Sequence, residues 1–121
     1  MQARKVIVVE DNDDIYNVIT LILISKYYHL VVCPTAHSFY SEMGNGKPDL
    51  IIMDVMLPDG NGIALCAETK QSPLFKDVPI LLMSAHLDPA IAKSSQANAF
   101  VKKPFDIDDF KMKVDALLDK N

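Results

Sequence analysis

Five short apolar runs, separated by stretches whose apolar residues recur every three or four positions, constrain this chain more than any other feature. Lys5 to Val9, Leu30 to Cys33, Leu50 to Met53, Ile80 to Met83 and Ala99 to Val101 are predicted as strands. The third and fourth are near-continuous Ile/Leu/Met runs, the pattern of strands covered on both faces of a parallel sheet. Between the first two, Ile15, Val18, Ile19, Ile22 and Leu23 give helical spacing within Asp14 to Tyr28, with Asp11, Asn12 or Asp13 available as a cap. Shorter helices are predicted over Ala36 to Met43 and Ile63 to Lys70. A fourth begins at Pro89, after Asp88, stops near Asn98 and holds about two turns. The last has Asp106 as N-cap and one stripe of Ile107, Phe110, Val114, Leu117 and Leu118.

Strict alternation of strand and helix implies right-handed crossovers and helices on both faces of the sheet. With 121 residues there is room for one domain, expected over 1–121 with no output domain following. The expected fold is therefore an α/β, flavodoxin-like, doubly wound five-stranded parallel sheet of order 2-1-3-4-5, with five helices and the fourth short. In that order strands 1 and 3 flank the point where the winding reverses, and ligands bind outside the carboxyl ends of such strands.

Both of those strands end in carboxylates. Glu10-Asp11 closes the first, and Asp54 closes the third, just before Val55-Met56-Leu57-Pro58-Asp59-Gly60-Asn61-Gly62. Ser84 follows strand 4 and Lys103 follows strand 5, so all five side chains are expected at one rim. Three carboxylates would repel by roughly 4 kcal/mol per close pair at an effective dielectric near 20. A divalent cation and the Lys103 ammonium bring the sum of charges to zero. Oxygen donors with no His or Cys among them suit Mg²⁺ or Mn²⁺. Such a pocket can receive a phosphoryl group, with Asp54 as nucleophile and the Ser84 hydroxyl as a donor to it. Taken singly, each residue has a blander explanation: a strand-end Asp as turn former, the acidic run from Glu10 to Asp14 as a solvated cap, Ser84 as a plain hydroxyl, Lys103 as a surface cation. The shared rim favours the joint reading.

The segments VIVVED, PDLIIMDVMLPDGNG, LLMSA and FVKKPF, in this order and spacing, resemble the response-regulator receiver domain of bacterial two-component signalling over essentially the whole chain. The resemblance implies that Asp54 accepts a phosphoryl group from a histidine kinase or phosphotransfer protein. It implies that Asp11 binds Mg²⁺ directly, that Glu10 acts through water, and that the Met56 carbonyl completes the protein ligands. Lys103 would pair with Asp54 and then with the phosphate, and the Lys103-Pro104 bond would be cis. Ser84 would move inward and vacate space for Phe100, while Pro58, Gly60 and Gly62 shape the loop beside Asp54. On this resemblance the chain is no enzyme beyond its own phosphorylation and dephosphorylation. Its output would be read by an effector protein, an output domain or a phosphorylation-dependent homodimer.

Three departures from the family pattern stand out. Phe100 replaces the commoner Tyr, Ala97-Asn98 replaces Gly-Ala, and the Ser84 to Lys103 stretch is short by about one helical turn. His86, at the site mouth, and Met56 occupy positions that in the family tune hydrolysis of the aspartyl phosphate; a histidine there is more often a passive loop residue. His29 and His37 flank strand 2 and need no functional role, and the six methionines read as core filling.

The rivals fit less well. A phosphohydrolase of the haloacid-dehalogenase type needs a second Asp where Met56 stands. A flavin or nucleotide module wants a Gly- or Ser/Thr-rich loop after strand 1, where this chain is acidic and amidic. A degenerate receiver, binding partners without phosphorylation, would not need every chemical position filled. A net charge of −4 with scattered basic residues argues against a nucleic-acid surface. The apolar stretch from Val18 to Ile24 is too short to span a membrane. Cys33 and Cys66, far from metal-ligand spacing, are expected as reduced structural thiols of a cytoplasmic protein.

Overall fold

A computed structural model describes residues 3–25, 27–86 and 88–119. In chain order the elements are β1 (Arg4–Val9), α1 (Asp13–Ile22), β2 (Tyr28–Cys33), α2 (Ala36–Met43), β3 (Leu50–Asp54), β4 (Met56–Leu57) and β5 (Gly60–Asn61). They continue as α3 (Gly62–Gln71), β6 (Ile80–Ser84), α4 (Pro89–Ser94), β7 (Ala99–Lys102) and α5 (Ile107–Asp119). Five strands form one parallel sheet in the order β2-β1-β3-β6-β7. This is the expected 2-1-3-4-5 order, with the antiparallel β4-β5 hairpin inserted after the third strand.

Side-chain alternation divides the interior into two layers. Val6, Val8, Leu50, Ile52, Leu81, Met83 and Val101 pack with Ile19 and Leu23 from the α1 region and with Phe110, Val114, Leu117 and Leu118 of α5. Ile7, Val9, Ile51, Met53, Ile80 and Leu82 pack on the opposite face with Phe39 of α2 and with Leu65 and Cys66 of α3. Every residue of β3 and β6 is buried, which explains why those runs carry no polar alternation. Cys33 and Cys66 are free and buried, as expected of structural thiols.

Local boundaries differ from expectation where tertiary pairing decides them. Helix α1 stops at Ile22, not at Tyr28, because Tyr28 lies opposite Arg4 in the β1-β2 ladder. Between them the Ser25 hydroxyl accepts from the Tyr27 N–H at 2.9 Å, closing a turn; Lys26, within the expected helix, lies outside the described residues. Strand β7 extends one residue further, to Lys102, which lies opposite Ser84. Helix α4 ends at Ser94, four residues early, and the residue in the left-handed conformation after it is Gln96 at φ 67°. Asn98 is used differently. Its N–H donates to the Ile80 carbonyl and its Oδ1 accepts from the Ile80 N–H, both at 2.9 Å, which secures the entry to β6.

Helix α2 has its first donors fully accounted for. Thr35 is the N-cap, its hydroxyl accepting from the Ser38 N–H at 3.0 Å. The N–H groups of Ala36 and His37 donate to the two carboxylate oxygens of Asp59, at 2.7 and 3.1 Å. These bonds hold the Asp59 carboxyl below its ordinary value of 3.8. A depressed carboxyl contributes stability that is present above the unfolded value and lost as pH falls through the folded one. Asp59→Asn should therefore destabilise the fold at neutral pH, and the difference from wild type should shrink below pH 3.8, as read by denaturant unfolding across an acid series.

Candidate functional site

The ladder extends past β1, with the Glu10 N–H donating to the Cys33 carbonyl at 3.1 Å. Glu10 thus continues the Val6-Val8 phase and Asp54 the Leu50-Ile52 phase, and the two carboxylates emerge on the same side of adjoining strands. Asp54 lies opposite Met83 in β6, and the Val55 N–H donates to the Met83 carbonyl at 2.9 Å, so the strand end is held against β6. The start of α3 leans on the same point. The Gly62 N–H donates to the Val55 carbonyl at 2.7 Å, and a Cβ on Gly62 would stand 2.1 Å from the Asp54 carbonyl oxygen. Only glycine fits there.

Lys103 enters from the end of β7, its N–H donating to the Ser84 carbonyl at 2.9 Å, and a cis peptide links it to Pro104 as expected. Its ammonium is 2.7 Å from Glu10 Oε1 and 3.2 Å from Asp54 Oδ2. The expectation paired Lys103 with Asp54; the structure has one ammonium bridging both acids, closer to Glu10. Glu10 is fully buried, and burial pushes its carboxyl up, with Asp54 adding to the rise and Lys103 opposing it. Burial disfavours the Lys103 charge as well, but the contacts with Glu10 and Asp54 outweigh it and hold the ammonium above its ordinary value.

Asp11 is exposed beside the pair, and Glu10, Asp11 and Asp54 each offer an oxygen, all within 4.8 Å of one another. With the three acids ionised and one lysine among them, this cluster is short of two positive charges, the charge of one divalent cation. Among the described residues, buried Glu10 Oε1 has no hydrogen-bond partner and meets the Lys103 ammonium as an ion pair. All-oxygen donors of this kind fit Mg²⁺ or Mn²⁺. The cleft is open, about 820 Å³, and Met56, Leu57, Pro58 and Lys103 line it together with the acidic run from Glu10 to Asp14. The Met56 side chain is 77% exposed at its edge.

Two expected residues stand apart from this cluster. Ser84 Oγ donates to the His86 carbonyl at 2.7 Å and accepts from the His86 N–H at 3.1 Å, so its hydroxyl is committed to its own loop. Phe100 is half-buried on the other face of the sheet, against the α2/α3 layer. The segment from Met56 to Gly62, expected as a loop, instead holds a hairpin, the Asp59 contact and the cap on α3. In that cap Asn61 Oδ1 accepts from the N–H groups of Ile63 and Ala64, at 2.8 and 3.4 Å. The Pro58-Asp59-Gly60 run is the turn signal that could have exposed the hairpin.

The model of the response regulator receiver domain family matches residues 6–115. The chain belongs to this family. Among curated relatives, regulatory protein VanRB of Enterococcus faecalis is 31% identical over 117 residues, covering 94% of this chain and 52% of the relative. Transcriptional regulatory protein KdpE of Staphylococcus aureus is 28% identical over 113 residues, covering 91% and 48%. The chain thus spans about half the length of the curated relatives it matches. Among solved structures, the signal receiver domain of a signal transduction histidine kinase from Syntrophus aciditrophicus superposes with a TM-score of 0.88 at 26% identity, covering 98% of this chain and 92% of that one. The receiver domain of NtrX from Brucella abortus gives 0.85 at 25% identity, covering 96% and 99%. Receiver domains therefore account for the fold and for the acidic rim, and among the described residues no helix is long and apolar enough to cross a membrane.

The bridging lysine makes a quantitative prediction. Lys103→Met leaves Glu10 buried and unpaired, and should cost about 3 kcal/mol of stability in chelator-treated protein at neutral pH. Adding Glu10→Gln should restore part of it, with a coupling of about 1–3 kcal/mol in a double-mutant cycle read by urea unfolding.

Proposed function

We propose that this receiver domain is a phosphorylation switch whose acceptor is Asp54. The carrying observation is the cluster of Glu10, Asp11 and Asp54 oxygens within 4.8 Å, with one ammonium bridging Glu10 and Asp54. Glu10, Asp11, Asp54 and the Met56 carbonyl would hold a Mg²⁺ ion, Glu10 through water. When bound, the cation neutralises phosphoryl oxygens and offsets the repulsion of the three acids.

An Asp54 carboxylate oxygen attacks phosphorus, the P–N bond of a phosphohistidine breaks, and the imidazole nitrogen keeps the bonding pair and takes a proton. The donor is a histidine kinase or a phosphotransfer protein. Asp54 is only 7% exposed, so the donor must reach it through the open cleft. The Lys103 ammonium, already against Asp54, follows the charge onto the phosphoryl oxygens. The single carboxylate becomes a group with more negative charge and more acceptor oxygens.

Ser84 then has a reason to move. Its hydroxyl leaves the His86 carbonyl to donate to a phosphoryl oxygen, and the loop that follows β6 is released from that bond. Phe100, half-buried across the sheet, can turn into the space. An output domain, effector protein or second copy would read the resulting change on the face of α4, β7 and α5, on the cytoplasmic side of the membrane. Every chemical position is filled, so nothing favours a scaffold that dispenses with phosphorylation.

Incubation with acetyl phosphate, followed by intact mass, tests this. Wild type with Mg²⁺ should gain one labile phosphoryl group; wild type with chelator and Asp54→Asn with Mg²⁺ should gain none. A folded wild type that stays unmodified, or an adduct retained by Asp54→Asn, would remove Asp54 as the acceptor.

A further inference from the structure

A hairpin of two residues per strand cannot hold its own shape in water. Yet β4-β5 carries Met56, Leu57 and Pro58, which form one wall of the cleft facing Glu10, Asp11 and Asp54. Something outside the hairpin must fix it. At its far end Gly62 N–H is tied to the Val55 carbonyl, and Asn61 caps α3. At the turn, the two oxygens of Asp59 take the N–H groups of Ala36 and His37, the first two residues of α2. Beside them Leu57 is buried in the α2/α3 layer, and a Cβ on Gly60 would come within 3.2 Å of the Ala36 Cβ. The turn is therefore seated directly on the helix end.

This contact is stronger than an ordinary turn bond. A carboxylate accepting two backbone N–H groups makes charge-assisted bonds, and it sits at the positive end of the helix dipole. The depressed Asp59 carboxyl is consistent with both. Thr35 already serves the next donor, that of Ser38, so no other group shown at this helix end replaces Asp59 if it is lost.

We propose that Asp59 is a positioning residue for the cation site, holding the β4-β5 hairpin on the N-terminus of α2 so that the Met56 carbonyl keeps its place beside Asp54. This rests on the reading of Glu10, Asp11, Asp54 and Met56 as that site. Asp59 touches neither cation nor phosphoryl group; it acts through the hairpin. It also makes α2 sensitive to the state of the cleft, because any shift of Met56 pulls on Ala36 and His37.

The test uses the full chain and Mn²⁺ alone, with free Mn²⁺ counted by electron paramagnetic resonance. Asp59→Ala should weaken Mn²⁺ binding about tenfold, the low end for groups that orient metal ligands. Asp59→Asn, which keeps one acceptor oxygen, should fall between it and wild type. Thr35→Ala is the control, since it removes the cap from the same helix without touching the hairpin; its affinity should match wild type. A metal-free readout runs in parallel: the Gly62 amide should exchange faster in both Asp59 variants and unchanged in Thr35→Ala. Wild-type affinity and wild-type Gly62 exchange in either folded Asp59 variant would overturn the proposal, as would equal losses in Thr35→Ala. A wild type that binds no Mn²⁺ sinks the cation site itself, and the proposal with it, before any variant is compared.

Discussion

Two carboxylates brought to the ends of neighbouring parallel strands, with one ammonium shared between them, set the terms for the rest of this structure. Glu10 and Asp54 come together because β1 and β3 are adjacent and in register, Val9 opposite Met53. Left alone they would repel, and Glu10 is fully buried, so its charge is not relieved by water. Lys103 crosses from β7 to lie within 3.2 Å of both. Asp11 adds a third carboxylate beside them, and a divalent cation would offset the deficit of positive charge that remains.

The surrounding elements can be understood as constraints on that cluster. Buried Ile, Leu and Met fill both faces of β3 and β6, so the strand that carries Asp54 has little freedom to slide. The N-terminus of α3 presses so closely on the Asp54 carbonyl that only Gly62 fits. Ser84 belongs to the same rim but is turned away, its proton given to the His86 carbonyl. The arrangement is that of a switch before its trigger. Asp54 already has its counter-charge against it, and the Ser84 hydroxyl is held elsewhere by one hydrogen bond of modest worth, about 1 kcal/mol net.

Much of this was legible in the amino-acid order because the physics involved is local or strongly patterned. Continuous apolar runs marked the central strands, the spacing from Phe110 to Leu118 marked α5, and α2 began and ended where its sequence indicated. The acidic rim was legible too, since topology alone places the ends of strands 1 and 3 side by side. What stayed hidden depends on pairing between distant segments. Tyr28 looks helical until Arg4 lies opposite it. Asn98 looks like a helix terminator until its amide oxygen finds the Ile80 N–H. Asp59 looks like a turn residue, and only the approach of α2 turns it into a clamp. The preference of Lys103 for Glu10 over Asp54 is a matter of half an ångström, beyond the reach of any pattern.

The cluster of Glu10, Asp11, Asp54 and Lys103 is short of the charge of one divalent cation. Thermal unfolding of the wild type against Mg²⁺, with NaCl at matched ionic strength as reference, tests it most directly. Binding to the folded state alone should raise stability by about 2.7 kcal/mol at a hundredfold excess over the dissociation constant. The midpoint should rise in proportion to the logarithm of Mg²⁺ concentration once that exceeds the dissociation constant, as for a single site, and Asp11→Asn should blunt the climb. A midpoint that moves no further in Mg²⁺ than in matched NaCl would contradict the account, since a cleft already in electrostatic balance has no use for the ion.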